Sequence, residues 1–287
     1  MRYLTKVKDE SYLPRSIPSG RTSHETGPSM QSGFPFTKFA DRLASLVELS
    51  SDDVDLLAKM PATIGHFGSR DIVARKGDRP TVCCLLLQGY LCWTVDCESQ
   101  QQITSLHVPG DIPDLQALSA PLLQFDLTAF GPVVVAFVPH RFFRELSEAS
   151  ARLSRALSLL MLTDVWCLRN WICNLATRDA LARVAHLLCE LTVRLQAIGQ
   201  ARDFRFLSPF TQTDLAAACA ISAVHANRTI QELRRRKLLQ WNSRTIEITD
   251  WSGLVRLAGF QPDYLGLRKP PLQEAKDFDS HMAEIRV

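Results

Sequence analysis

The stretch Thr211 to Lys237, TQTDLAAACAISAVHANRTIQELRRRK, constrains the fold of this chain more than any other. Thr211 is placed to cap a helix with Asp214 at its N3 position, and Leu215 and Ala218 face inward. Only Ala220, Ile221 and Ser222 then intervene before a second helix, for which Ser222 is the cap. Helices joined this tightly cross at a steep angle. The second carries Val224, Thr229, Ile230 and Leu233, with Asn227, Arg228, Arg234, Arg235, Arg236 and Lys237 between and after them. From Ser222 to Lys237 there are five cations against the single anion Glu232, a net +4 in sixteen residues. If Ala220 must adopt positive φ at the corner, its Cβ costs about 1 kcal/mol relative to glycine.

The flanks extend this unit. Leu238 to Ile248 reads as two short strands about Asn242 and Ser243, a hairpin that carries Arg244. Asp250 caps a short helix through Trp251, Leu254 and Leu257 that ends at Gly259. Upstream, ARVAHLLCELTVRLQAIG spaces Leu181, Val184, Leu188, Leu191, Leu195 and Ile198 by threes and fours, a core-facing helix closed by Gly199 with Thr177 as its candidate cap. His186 inside it reads as a hydrogen-bonded structural histidine. Three helices and a hairpin, with the basic helix third, make a winged helix-turn-helix. Such a helix suits a DNA duplex, because phosphate neutralisation supplies affinity while a few side chains reach base edges. The competing reading is a solvated basic face favoured by the helix dipole.

Before this unit the patterning is different. Leu153, Leu157, Leu160, Met161, Val165, Leu168 and Ile172 recur mainly at threes and fours without Pro or Gly, so a long helix with an apolar stripe is expected over 149–175. The stripe needs a partner, either its own domain or the same helix of a second chain, and the length favours a homodimer. Asp164 near the stripe is a polar register mark or points to solvent. Between Ala62 and Pro139 short apolar runs are cut by turn residues, which implies an antiparallel sandwich or jelly roll, with Gly89 marking a bend between two strands. Phe39, Leu43, Leu46 and Val47, then Val54 and Leu57, fit two short helices separated at Ser50 and Ser51. The expected class is therefore α+β: a jelly-roll domain over 37–148, the long helix, and a winged helix-turn-helix over 176–265.

Composition narrows what remains. Residues 14–33 hold three Pro, three Gly and five Ser with hardly an apolar side chain, so a flexible leader is expected over 1–36, and a flexible tail over 266–287. The chain's 33 Lys and Arg against 30 Asp and Glu hide a separation, since Thr37 to His140 carries seven cations and twelve anions, a net −5. The first residues have no apolar core of a signal peptide, and no unbroken apolar run approaches the roughly 20 residues of a spanning helix. A cytoplasmic protein with no membrane partner is expected. The eight cysteines lie among Leu, Val and Ala without C-x-x-C spacing, as buried thiols do rather than metal ligands. Cys219 and His225 are close in sequence, but no carboxylate or oxyanion loop completes a catalytic triad, so no enzyme is expected. A sensor or scaffold whose winged helix docks protein is the alternative to a DNA reader.

The strings HVPGDIPDL, RVAHLLCEL, FTQTDLAAA, SAVHANRTIQELRRRKLL, IEITDW and LAGFQPDYL resemble the Crp/Fnr superfamily of bacterial transcription regulators, closest to its alphaproteobacterial branch, over about Thr37 to Leu265. The resemblance implies a homodimer on a pseudo-palindromic duplex, with RNA polymerase as a further partner. It places Arg228 at the family's guanine-reading position, where a guanidinium bonds O6 and N7. The other usual readers fall at Ala223 and Val224, which offer only apolar contact with a thymine methyl, so His225 and Asn227 are expected to supply polar contacts. Thr211, Gln212, Ser222, Arg234 and Arg244 complete the expected DNA-binding set, with Arg244 placed to meet backbone phosphate. In the sensor, Asp111 stands near the family's glutamate, while the region of the phosphate-binding arginine reads Leu123, Gln124, Phe125 and Asp126, which argues against cAMP. Oxygen-sensing relatives hold an iron-sulfur cluster on clustered N-terminal cysteines, and here no Cys precedes Cys83, which argues against that cofactor as well. No cofactor is expected.

Overall fold

The structure, a computed structural model, describes residues 36–97 and 100–268. The leader up to residue 35 and the tail from residue 269 lie outside the described residues, as do the side chains of 96–101. Helices α1 (Thr37–Ala44) and α2 (Ser51–Ala58) open the chain, and Ser50 caps α2 in a full capping box with Asp53. Phe39, Leu43 and Leu57 face inward as the spacing predicts, but Val54 is exposed.

Strands β1 (Thr63–Phe67), β2 (Ile72–Ala74), β3 (Val82–Cys97), β4 (Gln100–His107) and β5 (Asp126–Pro139) form an antiparallel sheet in the order β1-β5-β3-β4, with β2 also on β5. Gly89 does not separate two strands. It bends one long strand, β3, whose register with β5 shifts on both sides of Gln88. Gly89 has φ +84, and a Cβ there would lie 2.5 Å from Pro132 O on the facing strand, so only glycine fits. The bend doubles the sheet over. Cys84, Leu86, Leu91 and Trp93 of β3 and Leu127, Ala129, Val133 and Val135 of β5 then meet in one enclosed core.

Because side chains alternate along a strand, the outer faces of the doubled sheet carry the remaining apolar residues. On one outer face Cys83, Leu85, Ala136 and Val138 pack against α1, against α3 (His140–Ala149) and against the first half of α4 (Ala151–Thr177). On the other, Cys92, Ile103, Leu106, Val108 and Phe130 share a core with the last part of the chain. That part comprises α5 (Ala180–Ala197), β6 (Arg205–Leu207), α6 (Gln212–Cys219), α7 (Ala223–Arg235), the hairpin β7 (Leu239–Asn242) and β8 (Thr245–Ile248), and α8 (Trp251–Ala258). The fold is the α+β arrangement expected: a doubled antiparallel sheet, a long helix and a winged helix-turn-helix. Strand β6, which pairs with β8, was not foreseen.

Helix α4 divides its apolar residues between two faces. Leu153, Leu157, Leu160, Cys167 and Trp171 are buried within the chain, whereas Leu162, Val165, Leu168 and Ile172 are exposed, Ile172 to 65%. It is the helix among the described residues long and apolar enough to cross a membrane, and one of its faces is built into the protein core. Thr177 does not cap α5. It ends α4, donating to Cys173 O at 2.7 Å, and the cap is Asp179, which accepts from Ala182 N at 2.8 Å. Cys173 departs from the expectation of buried thiols and is exposed, while Cys83, Cys84, Cys92, Cys167, Cys189 and Cys219 are buried. At the ends, Phe36 of the expected leader is buried, and the first residues of the expected tail are packed, with Arg268 N donating to Ser45 O at 2.8 Å.

Candidate nucleic-acid interface

The corner between α6 and α7 follows from its caps. Thr211 and Asp214 close a capping box at the start of α6, and Ser222 Oγ accepts from His225 N at 3.2 Å at the start of α7. Ala220 lies at φ 49 and ψ 50, the left-handed conformation that ends α6, with Ile221 N bonded to Ala216 O at 3.0 Å. Helix α7 is held by Ala226, Thr229, Ile230 and Leu233, all buried. Val224 is not part of that inner stripe: it is 64% exposed, because the helix is anchored through Ala226.

The outer face of α7 therefore presents Ala223, Val224, His225, Arg228, Gln231, Arg234 and Arg235 to solvent. Glu232 takes up two of the nearby cations. Its carboxylate accepts from Arg235 Nε and Nη2 and from Arg236 Nε, each at 2.7 Å, and these bonds hold it down at about 2. Arg228 and Arg234 form no ion pair among the described residues and remain available. Asn227 is half-buried and accepts from Gln212 Nε2 of α6 at 3.5 Å, a tie between the two helices. Thr211, Gln212 and Ser222 are exposed at the helix starts. The structure thus brings the Thr211, Gln212 and Ser222 to Arg234 members of the expected set onto two adjacent helices.

Arg244 lies apart, at the exposed tip of the hairpin, and its guanidinium leans toward the doubled sheet: a Cβ on Gly131 would lie 3.6 Å from Nη2. Sequence reasoning missed the residues that hold this unit in place. Arg183 of α5 donates to Cys219 O at 2.7 Å, Leu175 O at 3.0 Å and Arg178 O at 2.9 Å, so one guanidinium joins the helix corner to the end of α4. Arg70, in the β1–β2 loop, pairs with Asp214 and sits 5.2 Å from the Phe130 ring centroid. Neither has a local sequence signal, since every partner is distant in the chain.

In the sensor region Asp111 is buried between two arginines. Burial by itself would raise its carboxyl, but Arg194 and then Arg42 hold it below its ordinary value. Asp114 has no such cation and is pushed up to about 6 by burial, though it accepts from Cys84 N at 2.8 Å. At the place expected for a phosphate-binding arginine, Leu123 is buried in the enclosed core and Asp126 accepts from Lys76 N at 2.6 Å. The residues present do not fit an iron-sulfur cluster either. The buried thiols are dispersed and burial pushes them up, away from the thiolate form a cluster needs, and no group of three or more metal-ligating side chains occurs among the described residues.

Comparison with known proteins agrees with this geometry. Residues 182–257 match the Crp-like helix-turn-helix domain. The transcriptional activator protein FnrA of Stutzerimonas stutzeri is 23% identical over 215 residues, 74% of this chain and 87% of that protein. Electron transport regulator A of Shewanella oneidensis is 25% identical over 248 residues, 85% of this chain and 94% of that protein. Among solved structures, FixK2 from Bradyrhizobium japonicum shares the fold with a TM-score of 0.63 at 17% identity, over 70% of this chain and 100% of that one. The Thermus thermophilus CRP-family regulator TTHB099 does so with a TM-score of 0.54 at 20% identity, over 68% and 97%. With an exposed basic helix behind a left-handed corner, a doubled sheet before it and regulators among the proteins it resembles, the chain carries a Crp-like helix-turn-helix domain and reads as a DNA-binding transcription regulator similar to those of the Crp/Fnr type.

Proposed function

We propose that the chain acts in the cytoplasm as a homodimer that reads a pseudo-palindromic DNA site, one α7 in the major groove of each half-site. The observation that carries this reading is the outward face of α7, where Arg228 and Arg234 stand exposed and without an ion pair among the described residues. Arg228 reads a guanine, Val224 and Ala223 meet a thymine methyl, and His225 supplies a polar base contact. Thr211, Gln212, Ser222 and Arg234 line the backbone, and Arg244, exposed at the hairpin tip, turns from Gly131 to meet phosphate. Asn227, tied to Gln212, keeps α6 and α7 in register as well as facing the groove.

The dimer is supported by α4. Val165, Leu168 and Ile172 are exposed and, with the half-buried Met161 and Leu175, alternate by four and three, the seam of a two-stranded coiled coil. RNA polymerase is the further partner of a regulator bound beside a promoter. Selecting bound fragments from random DNA with purified protein at a stated salt concentration tests the whole reading. A twofold-symmetric motif is expected, and Arg228→Ala should cost about 1–3 kcal/mol and relax discrimination at one base pair per half-site. An unchanged motif in that variant would remove Arg228 from the reading set. Failure to enrich any motif would favour a protein-docking winged helix.

A further inference from the structure

The covalent joint between α4 and the winged helix-turn-helix is short, at Arg178 and Asp179, and a joint of that kind by itself leaves the reading helix free to swing. Arg194 lies at the opposite end of α5, about 20 Å along the helix from that joint. It is buried, yet its guanidinium reaches out of the winged unit into the doubled sheet. Nη1 donates to Leu106 O at 2.8 Å and Nη2 to Asp111 Oδ2 at 2.7 Å. The other Asp111 oxygen accepts from Arg42 Nε of α1 at 3.1 Å. Behind Arg194, Glu190 accepts from Nη1 at 3.2 Å and from the Tyr264 hydroxyl at 2.7 Å.

A buried guanidinium stripped of partners is costly, so Arg194 can stay where it is only while Asp111 and the Leu106 carbonyl stay with it. The surroundings leave little play. Lys38 Nζ of α1 donates to Ile198 O at the end of α5 at 2.6 Å. Gly110, beside Asp111, has φ +93 and lies so close to α1 that a Cβ would be 2.4 Å from Lys38 O.

We infer that Arg194 is a positioning residue for DNA reading: by fastening the far end of α5 to Asp111 and Leu106, it fixes the direction of α7 relative to α4 and so the half-site spacing that the dimer accepts. The inference rests on the DNA-reading assignment above. The joint by itself leaves a rotation open; Arg194 resists it at the other end of α5, with the Lys38, Tyr90 and Gln102 bonds across the same junction beside it. Since α4 pairs the two chains, the direction of each α7 relative to α4 sets the separation and twist between the two reading helices.

Arg194→Met removes the guanidinium; Asp111 keeps Arg42, and Glu190, left with the neutral Tyr264 hydroxyl, is neutralised by taking up a proton, since burial already raises its carboxyl. Full-length wild type and variant are titrated with the selected operator, with the same operator carrying a central spacer one base pair shorter or longer, and with a duplex holding a single half-site. The wild type is expected to lose about tenfold or more on both altered spacers. Arg194→Met should lose less than about threefold on them, while its half-site affinity stays within about twofold of wild type because α7 is untouched. A residue that only stabilised the fold would weaken every duplex alike. A variant that rejects the altered spacers as the wild type does overturns the inference, and so does an equal loss on the half-site. Should Arg194→Met fail to fold, Lys38→Met at the partly exposed edge of the same junction is expected to relax spacing in the same direction, and wild-type spacing by that variant then overturns it. A wild type that binds its operator but ignores spacing defeats this inference alone; a wild type that selects no DNA defeats the DNA-reading assignment beneath it.

Discussion

At Ala220 the chain holds a non-glycine residue in the left-handed region, where its Cβ crowds the neighbouring carbonyl. Ala220→Gly is therefore expected to stabilise the fold by about 1 kcal/mol, read as a rise in the midpoint of thermal unfolding, and an unchanged or lower midpoint would show that the corner carries no such strain. This position was legible in the sequence because a three-residue corner between two capped helices dictates its conformation locally. The caps Thr211, Ser222, Ser50 and Asp250 were legible for the same reason. His186 was only half legible. It is buried as expected, stacked on Tyr264 with Phe260 at its edge, but its Nδ1 has no hydrogen-bond partner among the described residues, and burial, with Arg178 nearby, lowers it to about 4. Arg42, Arg70, Arg183 and Arg194 gave no local sign of their roles, since each acts on atoms that folding alone brings near.

Among the elements, α4 shows how far periodicity reaches. Its spacing announced a long amphipathic helix but could not say that the apolar residues serve two faces, one inside the chain and one outside. Ile172 lies on the outer seam, so Ile172→Lys is expected to leave the folded chain's own stability within about 0.5 kcal/mol while dissociating the dimer. Sedimentation at micromolar protein checks this, and a variant that remains dimeric would place the interface elsewhere. The break before α5 was set two residues early, at Thr177, because a threonine and an aspartate are both acceptable caps and only the path of the chain selects Asp179. The bend at Gly89 was visible as a glycine in an apolar run. That it folds one strand over, rather than ending it, depends on the facing Pro132 carbonyl.

Across the whole molecule, one apolar cluster joins Cys92, Ile103, Leu106 and Phe130 of the doubled sheet with Trp171 of α4 and with Leu188, Leu215 and Leu254 of the winged unit. Side chains bridge the same junction, with the Tyr90 hydroxyl donating to Leu207 O at 2.8 Å and Gln102 Nε2 to Ala217 O at 2.7 Å. A shared core predicts shared unfolding. Calorimetry at fixed protein concentration should show a single transition with equal calorimetric and van't Hoff enthalpies, and two resolved transitions would mean that the sheet and the winged unit fold independently. The acidic excess of residues 37–140 also changes meaning at this scale, because Asp53, Asp111 and Asp114 are buried and serve internal contacts rather than the surface.

By itself the amino-acid sequence determined the α+β class, the succession of sheet, long helix and winged helix-turn-helix, and the basic helix with Arg228 on it, because periodicity, capping and corner chemistry act between residues a few positions apart. The tertiary structure alone decided which face of α4 is left open, that Val224 points outward, and that Asp111 holds two arginines in the junction between sheet and winged unit. Those outcomes depend on which distant groups meet, and a buried charge takes its role from the partners that packing delivers to it.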